Sequence, residues 1–232
     1  MIARAVVRII CTLAILGSGA LPWAAWAHGV DSATERFLLA NEGRAIVPFL
    51  YIGAKHMITG YDHILFLVGV IFFLYRSREI LLYVSFFTLG HSVTLMAGVL
   101  YGTTVNAYLI DAIIAFSIVY KGFDNLGGFR RLLGFQPNTK AAVLIFGLFH
   151  GLGLATKLQE FALSPDGLLT NLAAFNVGVE LGQFSALALI LIGIGFWRRH
   201  PTFLRFATAT NTLLMSGGFV LLGYQLTGFA LE

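Results

Sequence analysis

Long apolar runs, joined by short polar links, constrain this chain more than any other feature. A run such as ILFLVGVIFFLY (Ile64–Tyr75) is followed by only a few polar residues before the next apolar stretch begins. In hydrocarbon, backbone polar groups must be satisfied within the segment itself, and about 20 apolar residues in a helix cross a bilayer. Charged residues make up 11% of the 232 and hydrophobic ones 58%, whereas soluble domains carry about 25% charged. The pattern therefore predicts an all-α membrane protein rather than a soluble enzyme.

The first 27 residues follow another logic. Arg4 and Arg8 form a basic start, IICTLAILGSGAL a short apolar core, and Ala25-Trp26-Ala27 an A-x-A site followed by His28. The segment resembles a cleavable secretory signal peptide, leaving 28–232 as one membrane domain. Cys11, the only cysteine, lies in this segment, so the mature chain would hold neither disulfides nor thiolate metal sites.

Six spans are predicted after the signal, over roughly 46–74, 79–101, 105–124, 140–162, 168–197 and 203–227. With the mature N-terminus and the C-terminus outside, the inner loops and their margins hold Arg76, Arg78, Lys121, Arg130, Arg131, Lys140, Arg198, Arg199 and Arg205. The outer side holds Arg36, Arg44, Lys55 and Lys157. Nine against four is the positive-inside bias, and it points to a bacterial inner membrane. The high pI of 9.4 thus reflects topology, and no basic patch for nucleic acid is formed. No phosphate-binding loop is present, and no close internal repeat is evident.

Several ionisable side chains interrupt the apolar runs. His56, Asp62 and His63 lie on the first predicted span, His91 on the second, His150 on the fourth and Glu180 on the fifth. All but His56 fall at roughly one depth. A charge at the bilayer centre costs about 2.5–3.5 kcal/mol on insertion scales, so these groups should face one another inside the bundle. Asn176, Glu180 and Gln183, spaced i, i+4 and i+7, share one helix face, as do His56, Thr59 and His63. On an unbroken helix His56 and His63 stand about 10 Å apart. Either Gly60 loosens the helix, or the two serve successive positions, His56 being an outer stop; the spacing favours the second. Gly147/Gly151 and Gly178/Gly182 are GxxxG pairs that let helix backbones approach. They predict tight packing of the fourth span against the fifth, with His150 and Glu180 near the contact.

Taken singly, each histidine has a plain reading as a hydrogen-bonded packing residue. Asp111 and Asp124 lie near helix ends, where solvent or Lys121 suffices. Thr88, Ser92 and Thr94 are expected to bond their own backbone. The cluster differs, because imidazole and carboxylate together suit nickel, cobalt, zinc or manganese. Thr59, Asn176 and Gln183 are candidate supporting groups, and His28, once N-terminal, a candidate chelator at the outer face.

These residues match a known pattern. His56-x5-Asp62-His63, FFTLGHSVTL, AFSIVYKGFDNL, FGLFHGLGLA and FNVGVELGQ, in this order, resemble the HupE/UreJ family in its second branch. Members of this family are small membrane proteins regarded as nickel or cobalt permeases and associated with hydrogenases and ureases. The resemblance carries over through His56, Asp62, His63 and His150. In better-known members the FHG motif continues into a further histidine and a glutamate, whereas here it continues as LGLATKL. Glu180 on the next span is the expected substitute.

The resulting expectation is a permease for a divalent metal, nickel first, cobalt next and zinc compatible, without an organic cofactor. The ligand set is His56, Asp62, His63, His91, His150 and Glu180. Binding needs deprotonated ligands, so flux should fall as pH drops through the histidine range. Its partners are the metal ion and the lipid bilayer, with a homo-oligomer and a link to hydrogenase, urease or other metalloenzyme maturation left open. The alternatives are an intramembrane metal-dependent hydrolase, with Glu180 or Asp62 as base, and a metal-binding accessory protein that does not transport.

Overall fold

A computed structural model describes residues 43–159 and 166–232. The predicted signal 1–27 and His28 lie outside the described residues. These comprise helices and connecting turns, with no strand: α1 (Ile46–Thr59), α2 (Tyr61–Ile71), α3 (Ser77–Tyr101), α4 (Ala107–Asn125), α5 (Gly128–Leu133), α6 (Thr139–Gln159), α7 (Leu168–Arg198) and α8 (Thr202–Leu231). Four of these, α3, α6, α7 and α8, are long and apolar enough to cross a membrane. Two shorter apolar helices, α1 and α2, divide the first predicted span between them.

The division falls at Gly60, where the backbone leaves the helix for an extended conformation (φ −70°, ψ 98°). A Cβ at Gly60 would stand 2.8 Å from His63 Nδ1, 3.0 Å from the His56 carbonyl and 3.1 Å from Asp62 Oδ1. The flanking polar groups fold back over the bare α-carbon, so the expected continuous helix over 46–74 is corrected to two half-helices. Polar side chains, Asn171 buried and Asn125 and Arg198 half-buried, clasp their outer ends. Asn171 accepts from Ala45 N–H at 2.8 Å and donates to Gly43 O at 2.7 Å. At the far end Asn125 donates to Gly69 O at 2.8 Å, and Arg198 donates to Phe72 O at 2.8 Å. These bonds satisfy backbone groups that helix ends leave open.

Glycines decide which helices pair. On α6, any Cβ at Gly147 or Gly151 would overlap the carbonyls of Phe87 and His91 on α3, and a Cβ at Gly90 of α3 would overlap Leu144 O. On α7, Gly178 and Gly182 press in the same way on Leu50 O and Ala54 O of α1, and Gly53 answers from α1 against Phe175 O. In both pairs the residue numbers rise together, so the partners run parallel. Between α4 and α8, Gly122 meets Asn211 and Met215 while Gly218 meets Val119, an antiparallel pair. The GxxxG motifs thus permit close approach as expected, but their partners differ. The α6 motif packs on α3 and the α7 motif on α1, and α6 and α7 form no principal contact. GxxxG spacing specifies that a backbone can come near, not which one does.

Of two ion pairs near the helix ends, one is local and one joins two helices. Lys121 bonds Asp124 at 2.5 Å, and Lys157 bonds Asp111 at 2.9 Å across α6 and α4. The apolar core falls into two clusters. One gathers Phe66, Phe72, Val84, Phe87, Phe146, Leu187 and Phe203. The other gathers Phe49, Met57, Leu95, Leu154, Leu158, Phe175 and Val179.

Alanine replacements should separate the two kinds of helical glycine. Gly151→Ala and Gly178→Ala overpack backbone contacts and are expected to lower stability by about 1–3 kcal/mol. Gly195→Ala meets nothing within 4 Å, gains helix propensity and should leave stability equal or slightly higher. Thermal unfolding in one detergent, followed by circular dichroism, reads all three, and equal midpoints for G151A and G195A would contradict the pairing.

Candidate metal centre

The two apolar clusters are separated by a polar layer, and the spacing along each helix shows how. On α3 the buried face reads Phe87, His91, Leu95; on α6 it reads Phe146, His150, Leu154; on α7 it reads Val179, Gln183, Leu187. Residues four apart share a helix face, so His91, His150 and Gln183 point inward between apolar neighbours. His91 and His150 are 0% exposed and Gln183 is 1% exposed. The break at Gly60 delivers the remaining members, with His56 in the last turn of α1 and Asp62 and His63 in the first turn of α2.

The rings form one group. The His63 ring centroid lies 4.9 Å from His56, 4.9 Å from His150 and 6.0 Å from His91. One ligand atom from each of His56, His63 and His91 lies within 4.8 Å of the others. An ion with bonds of about 2 Å holds its nitrogens up to about 4 Å apart, so modest side-chain rotation would close the three on one ion. His150 adjoins this triad through His63. Phe87 packs edge-on to His63 and His150 at 6.0 and 5.0 Å, and Phe66 lies 5.7 Å from His150. These buried aromatic rings wall the imidazoles.

Hydrogen bonds orient the donors. His150 Nδ1 lies 2.7 Å from Phe146 O. A carbonyl can only accept, so Nδ1 carries the proton and Nε2 of the neutral ring keeps its lone pair. His63 Nδ1 lies 3.1 Å from Asp62 Oδ1, which in the same way directs Nε2 of His63 away from the carboxylate. Such carboxylate–histidine contacts fix ring orientation. Asp62, 1% exposed, sits in the first turn of α2, where the partial positive charge of a helix N-terminus favours a carboxylate.

Several expectations change. His56 is not an outer stop two turns from the cluster. The chain turns at Gly60 and brings its ring against His63. Glu180 does not meet His150 at an α6–α7 contact. It is exposed on α7 and lines a groove with α3, with no histidine in that lining. Thr59 is exposed and bonds Lys55 O of its own helix at 2.8 Å. Asn176 is buried and donates to Leu172 O at 3.1 Å. Gln183 reaches α3, where its Nε2 donates to Val84 O at 3.3 Å and its Oε1 accepts from Thr88 at 3.0 Å.

Thr88, Thr94 and Phe87 contribute more than sequence reasoning assigned them. Thr94 bonds its own helix but also donates to Leu148 O on α6 at 2.6 Å, tying the helices that carry His91 and His150. The available signal was their spacing, since Phe87 and Thr94 lie four before and three after His91, on its face.

Neither the curated proteins nor the solved structures contain a match to this chain. A family model described as HupE / UreJ protein matches residues 32–232, which include all the described helices and every residue of the histidine cluster. The chain therefore belongs to the HupE/UreJ family of membrane proteins.

Proposed function

We propose that the protein is a permease for a divalent transition-metal ion, nickel before cobalt, and that the ion passes through the cluster of His56, His63, His91 and His150. The observation that carries this reading is the meeting of four imidazoles from four helices, three of them buried and His56 half-buried, between apolar clusters. Burying so many polar rings is unfavourable unless they hydrogen-bond or bind something. The family is linked to nickel or cobalt transport or to accessory roles, and nitrogen donors suit these metals. Calcium and magnesium call for oxygen ligands, so the donor set favours transition metals. Asp62 supports His63 and offsets part of the ion's charge.

The reading includes six crossings, with α1 and α2 forming one broken crossing and α4 another. Parallel pairing of α1 with α7 and α3 with α6, and antiparallel pairing of α4 with α8, all agree with that count. The positive loops put both mature termini outside the inner membrane after removal of the signal. Broken helices are tolerated within a bilayer where their backbone is buried in protein or lines a cavity, and transporters use half-helix ends to meet ions.

Uptake of nickel by liposomes holding the pure protein tests the proposal. His63→Ala and His150→Ala are each expected to reduce uptake by at least about tenfold, and Asp62→Asn by about 10- to 100-fold in metal affinity. Parent-level uptake by both histidine variants would remove the cluster from the path. Tight stoichiometric metal without flux in the parent would instead indicate an accessory binding role. Gly60→Ala presses on His63 and Asp62 and should depress uptake while the helical circular-dichroism signal stays at the parent level. Unchanged uptake would mean that the break does not set ligand geometry.

A further inference from the structure

Beside the histidine cluster, α3 and α7 line an open groove of about 450 Å³. It is lined by Ser85, Thr88, Ser92, Glu180 and Gln183 together with Val84, Leu89 and Phe184. Most of its accessible wall is apolar, and three hydroxyls, an amide and a carboxylate interrupt that apolar surface; a carboxylate in hydrocarbon is costly. The groove runs from the level of His91 toward the Ser77 end of α3, the end that bears the positive loops.

A second, much smaller cavity of about 10 Å³, at the lower limit for one water, lies against His63. Val84 and Gln183 line both spaces. Gln183 is therefore the partition between the groove and the histidines, held by Thr88 and Val84 O. The Thr88 hydroxyl has one proton and two acceptors in reach, Gln183 Oε1 at 3.0 Å and Val84 O at 3.1 Å. Rotation to Val84 O would release the amide oxygen of Gln183 as a further oxygen ligand.

Resting on the permease reading above, we propose that this groove is a hydrated cation site in series with the histidine cluster. Glu180 is its anionic ligand, and Gln183 is the group that an ion passes between groove and cluster. The carboxylate and hydroxyls replace imidazole there with oxygen donors, which hold nickel and cobalt less tightly than nitrogen does. A weaker site on the side of the positive loops would let an ion leave the tighter one.

Thiol labelling tests the groove apart from transport. Cys11 is the only cysteine, so a Cys11→Ser background is blank. In it, S85C and S92C place thiols in the groove, and L189C places one on an apolar part of α7 that is 69% exposed. Unsealed membranes are treated with a cationic, membrane-impermeant methanethiosulfonate, with and without nickel chloride. We expect S85C and S92C to react, nickel to slow the reaction about tenfold, and L189C to stay unmodified. Adding Glu180→Gln should remove the nickel protection. The proposal is overturned if S85C and S92C are as inert as L189C, if nickel gives no protection, or if protection survives E180Q. These failures leave the permease reading standing as long as H63A still lowers uptake at least about tenfold. Conversely, parent-level uptake by H63A and H150A would sink that reading while nickel protection in the groove persisted.

Discussion

Glycine against carbonyl is the contact on which the rest of this structure depends. Where Gly147 and Gly151 meet the carbonyls of Phe87 and His91, the axes of α3 and α6 come closer than any side chain would allow. His91 and His150 are then held at one level, because each lies beside a glycine of its own contact. Gly178 and Gly182 do the same for α7 against α1, setting the level of Gln183 beside the end of α1. In a bilayer, where lipid tails are as apolar as the helix faces, packing of this kind is a principal source of helix association. Bonds such as Thr94 to Leu148 O then fix the register.

The polar layer is the second consequence. The helices α3, α6 and α7 each place one polar residue between apolar residues four before and four after. Stacked side by side, these split the core into two apolar clusters with imidazoles between them. The arrangement suits a group that must be reached by an ion but shielded from lipid. Phe66 and Phe87 form the wall, and the break at Gly60 supplies two histidines from what would otherwise be opposite ends of a two-turn stretch.

Much of this was legible in the residues. Apolar runs, the distribution of arginine and lysine, and the ordered motifs led to a helical membrane protein of the HupE/UreJ family. Depth counting along the spans picked out His63, His91 and His150, which the fold does bring together. It failed for Glu180, because depth says nothing about azimuth: an exposed glutamate and a buried histidine can share one level on different sides of a bundle. It failed for His56 because regular helix geometry was extended across a glycine at which the backbone is not helical.

The sequence by itself determined the class of the protein, the long apolar segments, and the residue types that interrupt them, since these follow from hydropathy and local periodicity. It also determined that glycine pairs would bring backbones together. Only the tertiary structure decided which helices those glycines join, that Gly60 folds His56 back onto His63, and that Glu180 looks into a groove rather than onto the histidines. The reason is physical. A GxxxG motif or a lone glycine sets what a backbone can do, whereas the choice among equally close partners depends on how all the helices fit at once.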